Sequence, residues 1–193
     1  MSTPLVVAIS GIKALDSVAD LDQRVVDAAR MAVNAAVKKG RILAARSMEK
    51  QIHFPPGYLT SDRGRLSIAK LAMASDLEAR LRGRDRPTSL ARFIVGGAKV
   101  GRGQKGVSVE VDPGMVKFMS SAFAIKLRND NIGLAYRGKE PPKSHGAKQL
   151  GPNLWLLYGP SVDQVFNRTR EYVRDDIEEF MNDEFNRLLE LDL

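Results

Sequence analysis

The sequence predicts an α+β fold, an antiparallel β-sheet packed with a long N-terminal and a long C-terminal helix. Three observations predict it. Apolar residues recur at spacings of three and four near both ends, the period of an amphipathic helix. Between them the period falls to two, that of a half-buried strand. Segments rich in Pro, Gly and polar residues punctuate the change. With 193 residues, 44% hydrophobic and 27% charged, the chain has material for one compact core and is not of disordered composition.

The N-terminal helix is expected within residues 12–52. Val18, Leu21, Val25, Ala28, Ala32 and Ala36 carry its stripe, and Ser17 with Asp20 gives a capping signal. Its apolar face is mostly Ala and Val, which lets a neighbouring backbone approach closely. Gly40 costs about 1 kcal/mol relative to Ala in a helix interior and favours a bend or a helix break near it. His53-Phe-Pro-Pro-Gly-Tyr-Leu59 then ends any helix. Thr60–Ser75 is ambiguous: Leu66, Ala69, Leu71 and Met73 have the spacing of a short helix, whereas Asp62-Arg-Gly64 suggests a turn.

A meander of about five or six strands is expected over 77–158. Leu77, Ala79 and Leu81 alternate with Glu78, Arg80 and Arg82; Ala91, Phe93 and Val95 with Arg92 and Ile94; Val107, Val109 and Val111 with Ser108 and Glu110. Phe123, Ile125 and Leu127 continue the pattern. A polar turn, Asn129-Asp-Asn131, leads to Ile132, Leu134 and Tyr136. Gly138–Pro152 reads as an exposed loop and Leu154–Tyr158 as a last strand. The C-terminal helix, 161–190, opens with an S-x-x-Q capping box, Ser161 and Gln164. It continues as a stripe through Val162, Val165, Phe166, Thr169, Val173, Ile177, Phe180, Met181, Phe185 and Leu188. Its length, about 42 Å at 1.5 Å per residue, exceeds what a domain of this size needs. Phe180, Met181, Phe185 and Leu188 are therefore candidate contacts, either internal or between subunits.

Charge is segregated along the chain. The net charge is +7, with residues 163–193 at −6 and residues 1–162 at +13; Lys38–Lys105 alone holds 16 basic residues against five acidic ones. A basic body with an acidic tail favours an anionic partner or a second copy of itself. With no cysteine, disulfides, thiolate nucleophiles and Cys-based metal sites are excluded. The apolar run Leu5–Ile9 has no basic segment before it and is too short for a signal peptide, and no run approaches the roughly 20 apolar residues of a membrane span. The expectation is a soluble protein, intracellular where it is made.

Motifs for chemistry fail on context. Gly101-Arg-Gly103-Gln-Lys-Gly106 matches G-x-G-x-x-G but precedes a strand-like run, so no helix N-terminus faces a pyrophosphate. Gly159-Pro-Ser161-Val-Asp163 lacks the second glycine of a nucleophile elbow, and Ser161 serves better as a cap. His53 and His145 stand 92 positions apart, without ligands at metal spacing. No catalytic residue, cofactor, metal or small-molecule substrate is expected, and the chain is not read as an enzyme. The cations of interest are Arg80, Arg82, Arg84 and Arg86, with Arg92 nearby, and Lys99, Arg102 and Lys105 in the glycine-rich hairpin. They form the expected charged contact surface, toward another subunit or nucleic-acid phosphates.

The order of parts, an Ala-rich basic helix, then Leu77-Glu-Ala-Arg-Leu-Arg-Gly-Arg-Asp-Arg-Pro-Thr-Ser-Leu-Ala-Arg-Phe93, then Leu157-Tyr-Gly-Pro-Ser-Val162 leading into a closing helix, resembles the minor tail protein Z family of tailed bacteriophages, also called tail completion proteins. The resemblance covers roughly residues 12–190, excluding Gly96–Gly106 and Gly138–Gly151. It implies a non-enzymatic virion component of the tail and neck, assembled in the host cytoplasm. Such a protein acts at the head-proximal end of the tail, in a homo-oligomeric ring, sixfold by preference, around the DNA channel. Its partners would be other phage tail or neck proteins, with non-specific contact to genomic DNA and none to membrane. The alternative is a stand-alone, non-enzymatic nucleic-acid-binding module.

Overall fold

The structure, a computed structural model, describes residues 5–8, 23–61, 64–100, 106–143 and 145–191. It is an α+β fold. Strand β1 (Leu5–Ala8) precedes helix α1 (Gln23–Gln51), followed by β2 (Leu66–Lys70), β3 (Glu78–Gly83) and β4 (Pro87–Ser89). A 3₁₀ turn over Leu90–Phe93 leads to β5 (Val107–Glu110), β6 (Val116–Met119), β7 (Ala122–Lys126), β8 (Ile132–Arg137), β9 (Gly146–Gly151) and β10 (Leu154–Ser161). Helix α2 (Val162–Thr169), a 3₁₀ segment (Arg170–Val173) and α3 (Arg174–Leu191) close the chain.

Among the described residues the strands pair antiparallel, apart from one isolated parallel bridge between Val100 and Ala124, but the expected single meander is divided among three sheets. These are β1-β3-β2, a five-stranded sheet with β10 central, and the ribbon β5-β6. Over its first half β10 lies between β8 and β9, and at its end it pairs with β4, Tyr158 standing opposite both Ser89 and Gly146. The division has a physical cause at Leu90–Phe93. Leu90 and Phe93, three apart, are both buried while Val95 is exposed, so the period is three and the expected strand through Ala91–Val95 gives way to a 3₁₀ turn. Thr60–Ser75 holds the strand β2 rather than a short helix, with Ile68 opposite Leu81. Six residues of the expected Gly138–Pro152 loop form the edge strand β9, turned into β10 at Pro152-Asn153 with Asn153 at φ 56. On β7 the buried face belongs to Ala122 and Ala124, and Phe123 and Ile125 face the half-exposed side.

Helix α1 is the centre of the core. Ala29, Val33, Val37, Gly40, Ala44 and Met48 form one buried row and Ala28, Ala32 and Ala36 an adjacent one. The breadth of this face lets α1 pack against both α3 and the β2-β3 pair. Gly40 does not break the helix. A Cβ there would lie 2.8 Å from Ile177 Cδ1, so the glycine admits the α3 side chain. Ser17, Asp20 and the rest of the expected helix start lie outside the described residues, as do Asp62 and Arg63 of the expected turn.

The capping box at α2 is complete: Gln164 N–H donates to Ser161 Oγ (3.0 Å) and Ser161 N–H to Gln164 Oε1 (2.9 Å). Ser161→Ala is expected to cost about 1 kcal/mol, read as a lower urea midpoint at unchanged slope. The C-terminal helix is not continuous over 161–190. Buried Thr169 turns its hydroxyl back onto Val165 O (2.8 Å), a bond that bends helices, and the next four residues tighten to 3₁₀. Gln51 Nε2 donates to the same hydroxyl (3.2 Å) and ties the end of α1 to the bend. No described helix is long and apolar enough to cross a membrane.

Candidate functional site

The loop after α1 is built to hold Tyr58. Pro55 and Pro56 restrict the chain, and Gly57 takes φ 71 so that Tyr58 N–H donates to Pro55 O (2.9 Å). Arg41 of α1 stakes the loop and the start of β2, donating from Nε to Leu66 O (2.8 Å) and from Nη2 to Thr60 O (2.9 Å). Main-chain bonds then place the arginines. Arg65 N–H donates to Tyr58 O (3.2 Å), Arg84 N–H to Arg65 O (2.8 Å), and Asp163 N–H to Arg84 O (3.1 Å).

The side chains converge on one ring. Arg65 and Arg92 place their guanidinium carbons 5.1 and 5.8 Å from the Tyr58 ring centroid, the range of cation–π attraction. Arg84 Nη2 donates to the Tyr58 hydroxyl (3.2 Å), which itself donates to buried Thr88 Oγ1 (3.4 Å). Phe54 stacks on the ring at 5.6 Å, so Tyr58 is only 8% exposed. Beside this cluster lies a cleft of about 1120 Å³, to which Arg65, Arg84, Arg86, Arg92 and Lys148 contribute five cations and Asp130 the one carboxylate among the described lining residues. Asp130 is already engaged by Lys126 at 2.8 Å. Arg84 Nε and Ser89 Oγ, on residues of the same wall, are buried without a protein hydrogen-bond partner.

The expected contact surface is therefore only partly brought together. Arg84 and Arg86 belong to the cleft. Arg82 lines a shallower hollow of about 330 Å³ with Arg65 and Arg84. Arg80 points outward as expected, but its charge is committed to Glu78, in a surface network with Lys70 and Asp76. The hydrogen bond from Arg80 holds the Glu78 carboxyl below its ordinary range, and that from Lys70 does the same for Asp76. Lys99 stands on a separate hollow beside Phe118. Arg102 and Lys105 lie outside the described residues. Tyr58, Arg65 and Lys148 were not legible as site residues. Tyr58 lies in a segment that reads only as a helix breaker, Arg65 in an ambiguous one, and Lys148 in apparent loop.

The chain matches no protein-family model, no curated protein and no solved structure.

The apolar positions of the last helix are used within the chain: Met181 and Leu188 are buried in the core, and Phe180 and Phe185 pack half-buried against it. Lys39 Nζ lies 5.4 Å from the Phe180 ring centroid. The opposite face of α3 is acidic. Asp175, Asp176, Glu179 and Asp183 share one exposed side, and among the described residues Asp176, Glu179 and Asp183 have no ion-pair partner. No residue of α3 lines the cleft. A second cavity of about 520 Å³ contains His145, Gln51, Gln164 and Arg168. Burial, then Lys117, pushes the imidazole pKa of His145 down. His53 pairs instead with Glu110 (3.3 Å), and no described group of three or more His, Asp or Glu is arranged to hold a metal.

Proposed function

We propose that this protein is a structural, non-enzymatic virion component of a tailed bacteriophage. In this reading it is a minor tail or tail completion protein that forms a homo-oligomeric ring at the head-proximal end of the tail, around the DNA channel. The resemblance over residues 12–190 supplies the class. The observation that carries the assembly part is the separation of unlike charge. A cluster of cations beside Tyr58 and an acidic side of α3 sit on different elements of one chain, with no residue of the helix in the cleft. Surfaces that are complementary but apart satisfy each other between copies, head to tail, and such a contact closes into a ring when its rotation permits.

Light scattering of the purified protein tests this. A multiple of the 21.3 kDa chain mass at low salt, falling toward one chain as salt rises, is the expected result; a single-chain mass at every salt and concentration contradicts it. The cleft's cations also favour a second reading, a stand-alone nucleic-acid-binding module. That reading requires a monomer or dimer whose DNA affinity falls steeply with log salt.

A further inference from the structure

We propose that the Tyr58 cleft is the seat of the acidic side of α3 from a second copy of this chain. The proposal rests on the reading that the protein assembles with itself, and adds which two surfaces meet. Its first support is unspent charge on both sides. Among the described residues Arg84, Arg86, Arg92 and Lys148 have no carboxylate at ion-pair distance, and neither Glu179 nor Asp183 has a cation. Holding Arg84, Arg86, Arg92 and Lys148 around one cleft with no carboxylate paired to them among the described residues costs free energy through mutual repulsion, which a docked row of carboxylates relieves.

Dimensions agree: only the exposed acidic side chains of about two turns of α3, about 11 Å long, need enter a cleft of about 1120 Å³. Carboxylates four residues apart on one side of a helix are separated by about 6 Å along its axis. So spaced, Glu179 and Asp183 present two carboxylates side by side to a wall that carries Arg84, Arg86, Arg92 and Lys148, and arginine's planar fork suits a carboxylate. The helix also enters with little ordering cost, because its other side is already fixed on α1 through Ile177, Met181 and Leu188. A nucleic-acid strand is the less suited occupant. The central ring, 8% exposed, offers no face for a base to stack on, and a duplex is too wide to enter.

Charge reversal tests the pairing without disturbing the Tyr58 cluster. Arg86 and Lys148 are exposed cleft residues; Glu179 and Asp183 are exposed and away from the helix ends. Arg86→Glu with Lys148→Glu, or Glu179→Lys with Asp183→Lys, is expected to raise the concentration for half-assembly about 100-fold or more, since like charges then face each other. The fourfold variant, carrying both reversals, restores assembly, as does an equimolar mixture of the two double variants. Unchanged circular dichroism confirms that each variant is folded. If the wild type assembles and the double variants assemble equally well, or the fourfold variant stays dissociated, the pairing is wrong and self-assembly stands. If Arg86→Glu with Lys148→Glu abolishes DNA retention while leaving the mass unchanged, the cleft is a nucleic-acid site and the pairing is overturned. A wild type that is monomeric at every salt overturns self-assembly and the pairing together.

Discussion

Phe166→Ala is expected to destabilise the fold by about 3–5 kcal/mol, the range for truncating an enclosed aromatic side chain. Phe166 is fully buried and, among the described residues, the largest side chain so enclosed. It is carried by α2, which packs against α1, β3 and β10, so the void opens where both helical parts and two sheets meet. Those elements are fixed by their own pairings and cannot collapse onto it. For a chain of this length the change corresponds to a drop of roughly 6–20 °C in Tm, measurable by calorimetry. A loss below about 1 kcal/mol would mean that α2 is not clamped between the sheets.

Gly83→Ala is expected to cost about 1–3 kcal/mol by overpacking, and its effect reaches the cleft. Gly83 ends β3 against the first turn of α2, where a Cβ would sit 2.9 Å from Asp163 Cα and 3.0 Å from its nitrogen. Backbone cannot swing aside as a side-chain tip does, so strand and helix must separate. The bond beside this contact, Asp163 N–H to Arg84 O at 3.1 Å, is one that places Arg84 next to Tyr58. The variant should therefore show both a lower denaturation midpoint and weaker assembly. Gly40→Ala is the control. The nearest atom there is the far end of Ile177, which can turn away, and the gain in helix propensity of about 1 kcal/mol offsets the crowding.

What was legible in the sequence was local. The S-x-x-Q spacing of Ser161 and Gln164 became a complete capping box. The alternation at Leu77–Arg82 put Ala79 and Leu81 inside and Arg80 and Arg82 outside. Asn129-Asp-Asn131 made the hairpin turn, with Asp130 at φ 61. Strands without alternation escaped. β9 has no buried residue, because an edge strand bonded on one side to β10 needs none, and its lysine is the kind of residue that keeps such edges from pairing with other chains. β6 likewise exposes Val116, Lys117 and Phe118.

The cleft escaped for a different reason. Arg65 and Arg84 are neighbours only because main-chain bonds run from the Tyr58 loop through β2 to the end of β3, and no sequence spacing encodes that path. The run Arg80, Arg82, Arg84 and Arg86 suggested one cluster. Strand geometry sends Arg80 to Glu78 and the outer sheet face, while the turn after Gly83 delivers Arg84 and Arg86 to the cleft. The stripe of the last helix was read correctly as apolar, and its length suggested contacts beyond the domain. The broad Ala/Val face of α1 absorbs that stripe, and the acidic side of α3 is left exposed.

A ring of identical subunits joined by unlike charge is directly visible by electron microscopy of the purified protein at low salt. Annular particles with a single rotational symmetry, sixfold by preference, that disperse when salt is raised are the expected result. Dispersed single chains at low salt, together with salt-sensitive binding of duplex DNA, would contradict it and leave the nucleic-acid-binding module as the function.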